Sequence, residues 1–235
     1  MSTKNFLKSI KKHRESKKRE KFKGFLEDYL ELIEGDKDIA ALAHKRLYKE
    51  ILSRGLSTLG ESDERCNKLF DGDSVKIYDY FSSQFFGMER PLERVMRFLH
   101  SASMRGEESR QVLLLLGPVG AGKSALVEHI KKALEETKSI FVLEGCPIRE
   151  EPLHLIPRSL REEFKEQYGI PVEGDLCPVC RHRLLNEYSG DYTKFPITES
   201  SFSIRGRKGV GVVPPMDPNT QDASLLIGSE DISKL

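Results

Sequence analysis

Residues 117–124 read Gly117-Pro118-Val119-Gly120-Ala121-Gly122-Lys123-Ser124. Their spacing matches G-x-x-x-x-G-K-[ST], the pattern of a loop that wraps phosphates. Glycines there let successive backbone N–H groups turn inward around an anion, where side chains would obstruct them. Lys123 would set a point charge against the β- and γ-phosphates of a nucleotide, and the Ser124 hydroxyl would ligate Mg²⁺. The expected ligands are ATP and Mg²⁺. From average residue usage, four fixed positions match by chance in a chain this long about 1 time in 100. The competing reading is a glycine-rich turn in an unrelated α/β protein.

A second group with chemistry in it is Cys177-Pro-Val-Cys180, the form of a metal knuckle whose turn presents two thiolates to one ion. A tetrahedral zinc site needs two more ligands. Cys146 is available as the third, with His154 or His182 as the fourth. His182 follows Cys180 by two residues, so its ring turns back onto the same ion poorly, and His154 is preferred. Two alternatives stay open: reduced, partly buried cysteines, or a redox pair, which the lack of a thioredoxin-like βαβ pattern disfavours. Glu150, Glu151 and Asp175 read as surface acids beside the cluster. Cys66 stands alone and takes no role.

Elements must position these groups. Val112 and Leu113 to Leu116 form an apolar run that predicts a strand buried on both faces, as in a parallel sheet. Residues 123–136 predict a helix whose N-terminal dipole points at the phosphates. Residues 139–144 predict the second strand. This strand ends in Glu144, but it follows Lys123 by only about one helix in this topology, so Glu144 is rejected as the catalytic carboxylate. The run 225–231, with Glu230, is too short and is interrupted by Gly228 and Ser229.

Upstream, residues 25–33 and 39–53 predict two antiparallel helices, with Asp38 capping the second and Gly55 ending it. Residues 57–79 read as a polar linker. Pro91 suits the first turn of a helix over 91–104. Downstream, 205–211 is a basic, glycine-rich loop with no aromatic residue for base stacking, and Pro214, Pro215 and Pro218 mark irregular chain.

The 235 residues carry 38 Lys and Arg against 37 Asp and Glu, for a net charge of +1. That balance gives no global field for nucleic acid or a membrane surface. Ten of the basic residues lie between Lys4 and Lys23, a solvated basic helix or arm, with a docking surface for a neighbouring subunit or an acidic partner as the alternative. No apolar run approaches the roughly 18 residues of a spanning helix, and the N-terminus has no signal-peptide core. Four cysteines including a CxxC pair suggest a reducing compartment, and the expected location is cytoplasmic.

From Phe85 onward the blocks FFGMERPLERV, GPVGAGKS, GCPIREEPLHLIP, GDLCPVCRHRL and NTQDASLLIGSEDISKL resemble the N-terminal AAA+ domain of the bacterial PrkA serine protein kinase family. The resemblance implies ATP binding in an AAA+ module attached to a kinase-like C-terminal region. It also implies that the segment ahead of the helix packs on the adenine, which makes Phe85, Phe86 and Gly87 candidate base contacts, although ordinary core aromatics explain them equally. Family members run several hundred residues further, so the chain is expected to be a C-terminally truncated segment.

The expected fold is an α/β P-loop NTPase of AAA+ type with a parallel-sheet core, incomplete at its C-terminal side. Residues 1–56 would form a small helical module, 57–79 a linker and 80–145 the first part of the ATP-binding core. Residues 146–192 would be a Cys/His insertion, and 193–235 a basic loop with the remaining core fragment. The expected function is an ATP-binding segment, weakly active or inactive alone, because no catalytic residue is assigned. The alternative is a nucleotide-controlled regulatory or scaffold module that assembles with AAA+ relatives; self-association and a protein substrate are the expected partners. A complete small nucleotide kinase is weaker, since a cysteine-bearing stretch occupies the place of its acceptor and lid arginines.

Overall fold

The computed structural model describes residues 22–60, 64, 68, 70 and 73–213. The basic arm up to Lys21, Cys66, the three prolines from Pro214 onward and the run containing Glu230 lie outside them.

Strand β1 (Lys23–Gly24) leads into helix α1 (Leu26–Gly35), which buries Tyr29 and Ile33. A single helix over 39–53 does not form. A 3-10 turn (Lys37–Ala40) comes first, Ala41 and Leu42 are extended, and helix α2 (Ala43–Ser53) follows. The break is held by Arg46, which donates to the Ala41 carbonyl at 2.8 Å and to the Ile39 carbonyl, giving the interrupted turn's acceptors a partner. The first cap is Asp36, whose carboxylate accepts from the Asp38 N–H at 3.0 Å.

The expected linker contains an antiparallel hairpin, β2 (Leu56–Leu59) and β3 (Val75–Tyr78), paired from Leu56–Tyr78 to Leu59–Val75. Of β3, Val75 and Tyr78 are buried and Lys76 is exposed. A short helix α3 (Asp79–Ser82) leads to α4 (Glu89–Ser103), whose Leu92, Val95, Met96, Leu99 and Ala102 form one buried stripe. Pro91 falls within its first turn, where no intrahelical donor is needed. Helix α5 (Lys123–Glu136) occupies the predicted range. Strand β4 (Ile140–Leu143), helices α6 (Arg161–Tyr168) and α7 (Pro178–Asn186) and strand β5 (Ile197–Ser200) complete the described order.

The predicted strand at 112–116 is the largest departure. These residues form no ladder, and Val112, Leu114 and Leu116 are 90%, 72% and 85% exposed. A strand needs neighbours to take its N–H and C=O groups, and β4, the expected neighbour, pairs with β5, which pairs with β1 in the order β1-β5-β4. Every strand pair among the described residues is antiparallel. The parallel core is therefore not among them.

Two cores result. One joins Tyr29 and Ile33 of α1 to Leu143, Leu153, Leu155, Phe164, Cys180, Leu184, Phe195 and Ile197. The other joins Leu47 and Ile51 of α2 to Phe81, Phe85, Met96, Leu99, Leu126 and Ala133. Each fully buried aliphatic or aromatic side chain contributes about 1.5–3 kcal/mol. The first two helices thus contribute to different cores. The cysteine-bearing segment shares its core with α1 and the β1-β5-β4 sheet.

Candidate nucleotide site and cysteine cluster

The loop before α5 turns on two glycines in the left-handed region, Gly120 (φ +83°) and Gly122 (φ +78°). Side chains rarely adopt that backbone. Gly122 also sits close to the lead-in segment: a Cβ there would lie 3.6 Å from Met88 Sδ and 3.9 Å from the Phe85 ring. Gly122 occupies the position just before α5, no side chain caps the helix, and no acid lies in its first turn. The first-turn amides thus have no partner within the helix and no acid of their own turn competing for them.

Lys123 folds back over its own loop, donating from Nζ to the carbonyls of Gly117 at 2.7 Å and Pro118 at 2.6 Å. Ser124 is exposed beside it, as are Gly117, Pro118, Val119, Gly120 and Ala121. The loop is an open cradle.

Of the three lead-in residues, Phe85 is buried at 6% exposure, Phe86 is 80% exposed, and Gly87 makes a left-handed turn (φ +70°). Phe85 packs edge-on to His129 of α5. Tyr78, Phe81, Phe85, Phe86 and Glu89, among others, line a pocket of about 130 Å³. Glu144 pairs with Lys23 at 3.2 Å, and its carbonyl accepts from Arg183 at 2.6 Å.

The second group lies in the other core. Ligand atoms of Cys146, Glu150, Cys177 and Cys180 all fall within 4.8 Å of one another. The Cys146 and Cys177 sulfurs are 3.9 Å apart. Each sulfur at a turn receives a backbone N–H: Glu150 donates to Cys146 Sγ at 3.4 Å, and Cys180 to Cys177 Sγ at 3.3 Å. Burial, then the Cys146 and Cys177 sulfurs, push the Cys180 thiol well up, and burial raises Cys177 as well.

His154, the expected fourth ligand, is not one of the four. Its Nδ1 is 3.0 Å from Glu150 Oε1 and its Nε2 is 2.7 Å from the Glu173 carbonyl, so both ring nitrogens are taken. Glu150, read as a surface acid, is 5% exposed. Its Oε1 also accepts from the Cys177 N–H at 2.7 Å, while Oε2 lies 4.0 Å from the Cys146 sulfur. Glu151 is half-buried, and burial raises its carboxyl pKa. Asp175 does face solvent, where hydrogen bonding to Arg158 holds it at about 2. The missed signal was the Cys146-x-x-x-Glu150 spacing, which folds a turn's own amide onto the sulfur. Arg205 and Arg207 of the basic loop are exposed, and the loop is closed by a Ser203–Lys208 bridge.

Comparison with known proteins gives a match to the model of the PrkA AAA domain over residues 24–235. The chain belongs to the PrkA AAA domain family. It is 37% identical over 98% of its length to the ATP-dependent protease PrkA of Bacillus subtilis, and 33% identical over 89% to the serine/threonine kinase YeaG of Escherichia coli K12. It spans about a third of each relative, 36% and 33%. A shorter stretch, 28% of the chain, is 36% identical to a mitochondrial Lon protease homolog of Yarrowia lipolytica. No solved structure matches the chain. An AAA domain of this family is a P-loop NTPase module, which makes nucleotide the ligand to fit to the cradle. No helix among the described residues is long and apolar enough to cross a membrane.

Proposed function

We propose that the chain is the ATP-binding module of a PrkA-type AAA+ protein. It holds Mg-ATP on residues 117–124 and turns it over weakly or not at all by itself. The observation that carries this reading is the convergence at Gly122. Two left-handed glycines lead into an uncapped helix N-terminus, and the Lys123 ammonium lies folded over the same loop; both favour an anion there. The backbone amides of the loop and Lys123 bind the phosphates, and the Ser124 hydroxyl is the Mg²⁺ ligand. Phe86 and the mouth of the Phe85 pocket take the adenine. At about 130 Å³ the pocket is smaller than the roughly 300–1,000 Å³ sites that enclose whole ligands, so it admits a base edge only.

One relative is named an ATP-dependent protease and the other a serine/threonine kinase. They point to polypeptide as the substrate class of the assembled protein. The exposed run 112–116, apolar on both faces, suits a strand buried on both sides by neighbours. The same run favours the second reading, a nucleotide-controlled module that assembles with AAA+ subunits. Titration with a fluorescent ATP analogue tests the binding reading. Lys123→Ala should lose at least tenfold in affinity with its melting temperature nearly unchanged, since a hydrogen bond to a charged group is worth about 1.5–3 kcal/mol. Unchanged affinity would remove the site.

A further inference from the structure

We propose that Cys146, Glu150, Cys177 and Cys180 form a closed tetrahedral zinc site, with His154 holding the Glu150 carboxylate from outside. Zinc–sulfur bonds of about 2.3 Å at tetrahedral angles put two ligating sulfurs about 3.8 Å apart, and a sulfur and a carboxylate oxygen about 3.6 Å apart. The Cys146–Cys177 pair is at 3.9 Å and the Cys146–Glu150 Oε2 pair at 4.0 Å. A disulfide needs about 2.05 Å between sulfurs, so the spacing fits a shared ion and not a bond. The ligands arrive as two turns. Each places a backbone N–H on its own sulfur, which stabilises negative charge on the atom that binds the metal.

The fourth position is decided by how Glu150 is held. Its Oε1 is occupied twice, by the Cys177 N–H and by His154 Nδ1, which leaves Oε2 turned to the sulfurs. His154 is fixed in turn by its Nε2 contact with the Glu173 carbonyl. Partners of this kind orient a ligand and tune its basicity without touching the ion. All four groups are buried or half-buried, so no position is left for a substrate and the site is structural. It ties the turn after β4 to the start of α7 across the short helices that lie between them.

Metal analysis of the chain purified from zinc-replete cells should find about one equivalent, and less than a tenth of an equivalent overturns the proposal. Cobalt substitution then reads the ligand set, through thiolate charge-transfer bands and tetrahedral d–d bands. Cys146→Ser and Cys177→Ser should each weaken zinc binding by more than a hundredfold. Because those variants can fail to fold, two milder ones carry the assignment. Glu150→Gln should shift the cobalt d–d bands and weaken zinc at least tenfold. His154→Ala should keep one equivalent and the tetrahedral band pattern, with affinity lowered about 10–100-fold. A Glu150→Gln spectrum and affinity equal to wild type, or an air-formed Cys177–Cys180 disulfide in metal-free wild type that zinc does not prevent, overturns it.

Discussion

The Phe85 ring meets the His129 imidazole edge to face, with ring centroids 5.4 Å apart and planes at 82°. The contact ties the segment ahead of α4 to the middle of α5, the helix that starts at Lys123. Phe85 and Phe86, adjacent in sequence, therefore have different work. Phe85→Ala should cost about 3–5 kcal/mol of stability as a buried aromatic truncation. Phe86→Ala should leave the melting temperature nearly unchanged and weaken nucleotide roughly tenfold, since stacking on a base is worth about 1–3 kcal/mol. Thermal melts and analogue titrations of both variants check this. An affinity unaltered in Phe86→Ala would end its role as a base contact.

His129 makes stability depend on pH. Burial is the main cause lowering its pKa, Lys132 adds to it, and Glu136 opposes it. The unfolded chain, with a histidine pKa of about 6.5, then takes up the proton more readily than the folded one. The contribution is complete above that pH and shrinks as pH falls below it. The melting temperature should drop between pH 7 and 5 more steeply in wild type than in His129→Gln. Parallel slopes would show that other groups carry the acid sensitivity.

Arg46 joins α2 to the strand that leads away from α5. Its guanidinium donates to Ala41 at 2.8 Å, Lys138 at 3.3 Å and Ser139 at 3.4 Å, all at backbone carbonyls. Arg46→Ala leaves those acceptors to find water in a buried setting. Each buried polar group without a partner costs about 1–3 kcal/mol, so chemical denaturation should show a loss of that order or more. A loss under about 0.5 kcal/mol would mean the carbonyls are solvated without it.

Turnover is the prediction furthest from the loop itself. Binding ATP stabilises ground and transition states alike and does not by itself accelerate hydrolysis. The chain's own Glu144 is engaged with Lys23 on the β4 side, and no carboxylate is assigned to the metal beyond Ser124. A coupled phosphate-release assay should therefore give a rate far below the roughly 1–100 s⁻¹ of kinases. Turnover of several per second that vanishes in Lys123→Ala would require a catalytic acid, and Glu144 and Glu230 would be mutated first.

What the sequence determined by itself is local. The left-handed turns at Gly120 and Gly122, the range of α5 and the Cys177–Cys180 turn follow from residues within a few positions of one another: glycines for left-handed turns, one apolar stripe, one sulfur accepting from an amide three residues on. Tertiary structure decided what depends on partners far along the chain. Residues 112–116 have every mark of a buried strand and pair with nothing among the described residues, because a ladder needs a neighbour. Residues 197–200 have few such marks and lie at the centre of the β1-β5-β4 sheet. Glu150 rather than His154 faces the sulfurs because the amide of Cys177, 27 residues away, captures one carboxylate oxygen and turns the other inward. A metal's ligands are chosen by where atoms meet in space, and spacing along the chain can only name the candidates.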